Sequence, residues 1–169
     1  MRLNTEITLN RAYVNRAVEI SRFLAKCWKS SYRDIINGDY LSSLKDDHWV
    51  AFLEAGIENN TITCITAEAS GGIVGVTIAG NSITERYPDD GEVISLYVDP
   101  EFIGKRVGHS LFERAQQSLV DLGFSHCIVC AFSENVRAVH FYQKHGFYMV
   151  SDNETITMGT QELPYVIMR

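Results

Sequence analysis

No run in this sequence approaches the ~18 consecutive apolar residues that a membrane span requires. The opening residues, Met1-Arg2-Leu3-Asn4-Thr5-Glu6, lack the apolar stretch of a secretory signal. A cytoplasmic protein without a membrane partner is the expectation. Positive charge is scarce as well. Lys and Arg total 15 against 21 Asp and Glu, for a net charge of −6. The cations are scattered, whereas nucleic-acid binders gather theirs into a basic stripe, so no nucleic-acid partner is expected. Acidic residues cluster at Asp46-Asp47, between Glu54 and Glu58, and in Asp89-Asp90-Gly91-Glu92. That pattern reads either as a solvated surface or as a field that draws in a cationic substrate.

Repeats, low-complexity segments and Pro- or Ser-rich linkers are missing too, so residues 1–169 are expected to form a single domain. Apolar residues at 46% and charged residues at 21% suit an ordinary globular chain. Metal-ligand spacing is missing among the five His, and no metal site is expected. Cys127-Ile128-Val129-Cys130 has the spacing of redox and zinc motifs, yet it lies in an apolar, β-prone run. Residues three apart on a strand point to opposite faces. The two sulfurs are therefore read as structural thiols, along with Cys27 and Cys64.

What is present has a clear order. A short strand is predicted over Thr5–Asn10, then a helix over Val14–Lys29 with Val14, Ala17, Val18, Leu24 and Trp28 on its apolar face. Helical stretches follow around Tyr40–Leu44 and over Asp47–Glu58. β-Branched runs predict strands over Thr61–Ala69 and Ile73–Ala79, joined by a Gly71-Gly72 turn, with a third strand over Glu92–Val98. A helix over Val107–Leu122 places Leu111, Phe112, Ala115, Leu119 and Leu122 on one face. Then come a strand at Cys127–Phe132, a helix at Asn135–His145, and final strands at Phe147–Ser151 and Tyr165–Met168, with a turn at Asn153-Glu154. A helix that joins two strands makes them parallel, and hairpins make the others antiparallel. The fold class expected is α/β (α+β), a mixed, mostly antiparallel sheet with helices on both faces.

The stretch from Leu96 to Leu111, Leu-Tyr-Val-Asp-Pro-Glu-Phe-Ile-Gly-Lys-Arg-Val-Gly-His-Ser-Leu, reads as a strand, a glycine-bearing turn and the start of a helix. Backbone N–H groups converge at such a turn, and a helix N-terminus adds unpaired N–H groups and partial positive charge. The combination suits a phosphate-bearing ligand. Dinucleotide and P-loop fingerprints are both absent, since Gly104-Lys105 is followed by Arg106 and not by a hydroxyl residue.

Two segments together carry a family resemblance. Val98-Asp99-Pro100-Glu101-Phe102-Ile103-Gly104-Lys105-Arg106-Val107-Gly108 resembles the pyrophosphate loop of the GNAT superfamily of acetyl-CoA-dependent N-acetyltransferases. Asn135-Val136-Arg137-Ala138-Val139-His140-Phe141-Tyr142-Gln143-Lys144-His145-Gly146-Phe147 is similar to that family's N-x-x-A-x-x-F-Y-x-x-x-G-F segment at every named position. The loop departs from the usual Q/R-x-x-G-x-G/A pattern, with Ile103 in place of Gln or Arg and Arg106 in place of the first Gly.

The resemblance implies direct acetyl transfer from acetyl-CoA, the co-substrate, to a primary amine acceptor, with a homodimer as a frequent family assembly. It implies cofactor contacts at Leu96, Val98, Ile103, Gly104, Lys105, Arg106, Val107, Gly108, His109, Asn135 and Tyr142. The pantetheine arm would fill a gap between 92–98 and 127–132. Arg106 lies along the pyrophosphate or points to solvent, and Asn135 touches the arm, caps its helix, or both. Tyr142 is implied as the acid that protonates the CoA thiolate, against a plain core tyrosine. Glu92 is implied as the base, against an exposed edge glutamate. An amine with a pKa near 10.4 is only about 0.04% neutral at pH 7, which is why a base is needed. The first helices roof the acceptor side in this family, which points to Trp28, Tyr32 and Arg33 as substrate residues, with Tyr40 nearby. The plainer reading of Trp28 is a core residue, and that of Arg33 an ion-pair partner of Asp34 or Asp39. A small-molecule acceptor is preferred. A non-catalytic acyl-CoA module, another acyl group and a protein acceptor remain as alternatives.

Overall fold

A computed structural model describes residues 6–169. Seven strands, β1 (Thr8–Arg11), β2 (Ile62–Ala69), β3 (Gly72–Asn81), β4 (Gly91–Val98), β5 (Cys127–Phe132), β6 (Met149–Met158) and β7 (Gln161–Met168), form one sheet in the order β1-β2-β3-β4-β5-β7-β6. All neighbours are antiparallel except β4 and β5. The helices are α1 (Ala17–Ser31), α2 (Gly38–Ser43), α3 (Val50–Glu58), α4 (Val107–Asp121) and α5 (Val136–Lys144), with single 3-10 turns at Val14–Arg16 and Pro100–Phe102. Thr5, the expected start of the first strand, lies outside the described residues.

Strand alternation decides which helix covers which face. On β2, Ile62 and Cys64 join Ile20, Leu24 and Leu53 of α1 and α3. The alternate residues Ile65, Ala67 and Ala69 join Val107 and Leu111 of α4. β2 is thus buried on both faces, and α4 lies across the sheet from α1 and α3. The mixed sheet with helices on both sides agrees with the sequence reading, and the α4 crossover makes β4 and β5 parallel.

Several local expectations are corrected. Val18 is 53% exposed and Leu122 48% exposed. The buried stripe of α1 runs through Ala17, Ile20, Leu24 and Cys27 and leaves Val18 about 100° around the helix. Leu122 is the C-cap of α4, just past its last buried turn. The β2–β3 turn is Ser70-Gly71, since Ala69 pairs with Gly72. Asn153-Glu154 is not a turn. It lies inside β6, where two register shifts take up the extra residues and Ser151 Oγ donates to Glu154 Oε1 at 2.7 Å. The hairpin closes at Gly159-Thr160, so β7 begins at Gln161.

Candidate active site

The parallel ladder between β4 and β5 is short. It pairs Gly91 with Cys127, Glu92 with Ile128 and Val93 with Val129, and then the strands part. β4 continues along β3, with a bulge at Ile94 because Ala79 faces Val93 while Ile78 faces Ser95. β5 turns to β7. The wedge left between them is a groove of about 820 Å³ walled by Leu96, Val98, Ala131, Asn135 and Tyr142. Asp99 N–H bonds to Val74 O on the β3 side at 2.9 Å. Successive backbone groups along a strand point to opposite edges, so the N–H of Val98, and with it that of Leu96, faces the open wedge.

One end of the groove is the loop that leads into α4. Asp99 caps the preceding 3-10 turn, accepting from Glu101 N–H at 3.0 Å, and also binds Lys26 Nζ of α1 at 2.7 Å. The ammonium holds the Asp99 carboxyl below its usual range, and the carboxylate holds Lys26 up. Gly104 and Arg106 both take left-handed backbone angles, φ 80° and 64°. For a residue with a Cβ that conformation costs about 1 kcal/mol. It turns the chain so that the N–H groups of Arg106, Val107, Gly108 and His109 find no backbone acceptor among the described residues, the first bond being Ser110 N–H to Arg106 O at 3.0 Å. This donor cluster at the start of a 15-residue helix suits a diphosphate. Ile103, Gly104, Arg106, Val107, Gly108 and His109 line the groove. Lys105 is the exception: it does not line the groove, and its Nζ stands 4.6 Å over the ring of Phe102, which does.

α5 forms the opposite wall. Asn135 caps it, its Oδ1 accepting from Ala138 N–H at 3.2 Å. Tyr142 is buried against Phe112, ring centroids 5.4 Å apart, and burial pushes its hydroxyl well above the ordinary tyrosine value. His145 Nδ1 faces the Phe141 carbonyl at 2.8 Å and so carries the proton there. Its Nε2 then accepts from His109 Nδ1 at 2.8 Å. His109 Nε2 faces Glu113 at 3.2 Å. This imidazole pair joins the start of α4 to the end of α5.

A second cavity, about 670 Å³, adjoins the groove. Tyr32, Ile94, Tyr97, Cys130 and Ala131 line both, so the two spaces meet where β4 and β5 separate. Glu92 lies in this second space. It is not an exposed edge residue, being 3% exposed. Its Oε2 accepts from Ser82 Oγ at 2.9 Å, Ile83 N–H at 2.9 Å and Thr84 N–H at 3.1 Å. Trp28, half-buried, sets its ring edge-on to Tyr32 at 5.1 Å and lines the same cavity. Arg33 is corrected: it lines neither cavity, is exposed, and lies 3.4 Å from Asp34, because the turn after α1 points it outward.

Sequence reasoning missed Tyr97 and Cys130 at the junction. The Tyr32 and Tyr97 hydroxyls are 2.8 Å apart, and burial raises both above the ordinary tyrosine value. Burial pushes the Cys130 thiol up to about 11, against a weak contact from Thr84 Oγ1 at 3.4 Å. Tyr97 stands directly before Val98 on a strand already singled out, a signal available in the sequence. Cys130 was read only through its spacing to Cys127.

The family model of the acetyltransferase (GNAT) family matches residues 27–147, well over half of the chain. The chain belongs to the GNAT acetyltransferase family. An uncharacterized N-acetyltransferase of Bacillus subtilis, YuaI, is 24% identical over 159 residues, covering 92% of this chain and 88% of that protein. The GNAT fold is matched over nearly the whole chain by two solved structures. The PaiA N-acetyltransferase of Thermoplasma acidophilum, in complex with coenzyme A, aligns with TM-score 0.76 at 18% identity, covering 97% of this chain and 98% of that one. YncA of Salmonella typhimurium, a putative acetyltransferase with its cofactor acetyl-CoA, aligns with TM-score 0.74 at 18% identity, over 97% and 92% of the two chains. Among the described residues of this GNAT protein, no helix is long and apolar enough to cross a membrane.

Proposed function

We propose that this protein is an acetyl-CoA-dependent N-acetyltransferase acting on a small primary amine. The observation that carries the reading is the β4–β5 wedge, which runs from the donor cluster at the start of α4 to the junction with the second cavity. A pantetheine arm in that wedge hydrogen-bonds to the free edges of β4, with the diphosphate on the N–H groups of Arg106 to His109. The relatives with coenzyme A or acetyl-CoA support this ligand. Four free thiols among the described residues suit a reducing, cytoplasmic setting.

The acceptor amine approaches from the second cavity. Glu92, with one oxygen fixed by three donors, receives the ammonium proton directly or through water. The nitrogen attacks the thioester carbonyl and a C–N bond forms. Val98 N–H donates to the oxyanion. The C–S bond breaks, Tyr142 gives its proton to the departing thiolate, and the second proton lost by the nitrogen as the amide forms returns through water to the Tyr142 oxygen. Burial keeps that hydroxyl protonated at neutral pH, as an acid requires. The high value of Cys130 supports direct transfer over an acyl-cysteine route.

The test is Tyr142→Phe. Its kcat should fall about 100-fold while acetyl-CoA affinity stays within about threefold. A variant with unchanged kcat sinks the acid role. A wild-type protein that binds acetyl-CoA yet releases no CoA thiol with any amine favours a non-catalytic acyl-CoA module.

A further inference from the structure

The transferase reading leaves the acceptor unnamed, and the second cavity has a chemistry of its own. Five aromatic rings line it, from Trp28, Tyr32, Tyr97, Phe132 and Tyr165. Tyr32 is held edge-on by Phe132 at 5.0 Å and by Trp28 at 5.1 Å, so this aromatic wall is set before a ligand arrives. Three carboxylates, Glu85, Glu92 and Glu154, face one lining cation, Arg86. That guanidinium is already engaged: it hydrogen-bonds to Glu154 and, at 3.3 Å, to Ser151 Oγ. Glu154 is fixed in turn by Ser151 Oγ at 2.7 Å. Among the described residues no unengaged cation lines this space.

We propose that the acceptor is an aromatic primary monoamine without a carboxylate, an arylalkylamine by chemical class. Its ring packs on the aromatic wall, and its ammonium is drawn by the excess of carboxylates and by ring faces. An amino acid of the same shape brings its own carboxylate into a space with surplus negative charge and no free partner, which like-charge repulsion and desolvation both oppose. Ile83, Ile94 and Ile156 extend the apolar lining, which an aromatic ring covers and the charged chain of a polyamine does not. This inference rests on the transferase reading.

The experiment compares 2-phenylethylamine, phenylalaninamide, phenylalanine, spermidine and an aminoglycoside by CoA-thiol release, with thermal shift by acetyl-CoA alone in parallel. The first three share one aromatic ring and amine, and only phenylalanine carries the charge. kcat/KM for the two carboxylate-free amines should exceed that for phenylalanine at least about tenfold. Glu154→Gln, which removes the charge opposing Arg86, should raise phenylalanine use about threefold or more relative to 2-phenylethylamine. Phenylalanine equal to its amide, or spermidine or the aminoglycoside preferred, overturns the acceptor class and leaves the transferase standing. An acetyl-CoA shift with no turnover of the aromatic amines has the same consequence. Absence of that shift overturns both readings.

Discussion

Replacing Glu92 separates what it holds from what it does. In Glu92→Ala the loop at 82–84 loses its acceptor. Ile83 N–H has no other partner among the described residues, whereas Thr84 N–H retains Ser82 Oγ at 3.1 Å, and Ser82 Oγ retains a long contact to Thr84 O at 3.4 Å. One fully lost charge-assisted bond and two partial losses amount to about 3–4 kcal/mol. Relief from burying a carboxylate returns about 1 kcal/mol of that. The net loss of about 2–3 kcal/mol lowers Tm by roughly 5–10 °C for a chain of this size. Glu92→Gln keeps an acceptor oxygen in the same place and should cost about 1 kcal/mol. Its kcat/KM at neutral pH should nevertheless fall about 100-fold, since an amide takes no proton. Urea unfolding gives the first pair of numbers, and CoA-thiol release gives the last. An Ala variant within about 0.5 kcal/mol of wild type refutes the carboxylate cage. A Gln variant with full kcat/KM refutes the base.

Other positions make equally direct tests. A Cβ on Gly80 would stand 2.1 Å from Thr61 O and 2.7 Å from Ile62 Cα, both backbone, so Gly80→Ala should cost about 3 kcal/mol or more in urea unfolding, the β2–β3 pair being forced apart. Arg106→Gly relieves the left-handed backbone and should stabilise the apo protein by about 0.5–1 kcal/mol, while weakening acetyl-CoA binding if the guanidinium lies along the diphosphate. Equilibrium unfolding and calorimetric titration read these two effects separately. With its thiol near 11, Cys130 is about 0.1% thiolate at pH 8. Its alkylation by iodoacetamide should rise about tenfold per pH unit from 7 to 10, and acetyl-CoA should protect it because the residue lines the groove. A pH-independent rate shows that the thiol is not held up by burial.

The strand, loop and helix from Glu92 to Leu122 were legible because each carries a local signal: β-branched alternation, then Pro100 and Gly104, then a 3.6-residue apolar period. The wedge itself has no local signal. It exists because the β4–β5 ladder stops at Val93 and Val129 and β4 bulges at Ile94, a splay that entered the sequence reading only through the family resemblance. The acceptor cavity was less legible still. Arg86 and Glu154 are 68 residues apart, and Tyr32 and Tyr97 are 65 apart, so nothing in either neighbourhood announces the other. Glu92 was placed correctly on its strand, yet its burial depends on the 82–84 loop folding back over it. Asn153-Glu154 misled because turn-forming residues also fill bulges.

The imidazole contact between His109 and His145 has a mechanical meaning. Beyond Val93 the sheet no longer fixes the distance between β4 and β5, so that distance is left to whatever sits on either side. The two helices that flank the gap meet through this pair of rings and through Phe112 against Phe141 and Tyr142, which together act as a spacer of set length. The channel's width at its anion-binding end therefore depends in part on two side chains 36 positions apart in the chain. Swapping either ring for a smaller group would let the walls drift together, narrowing the passage at the end that holds the N–H cluster.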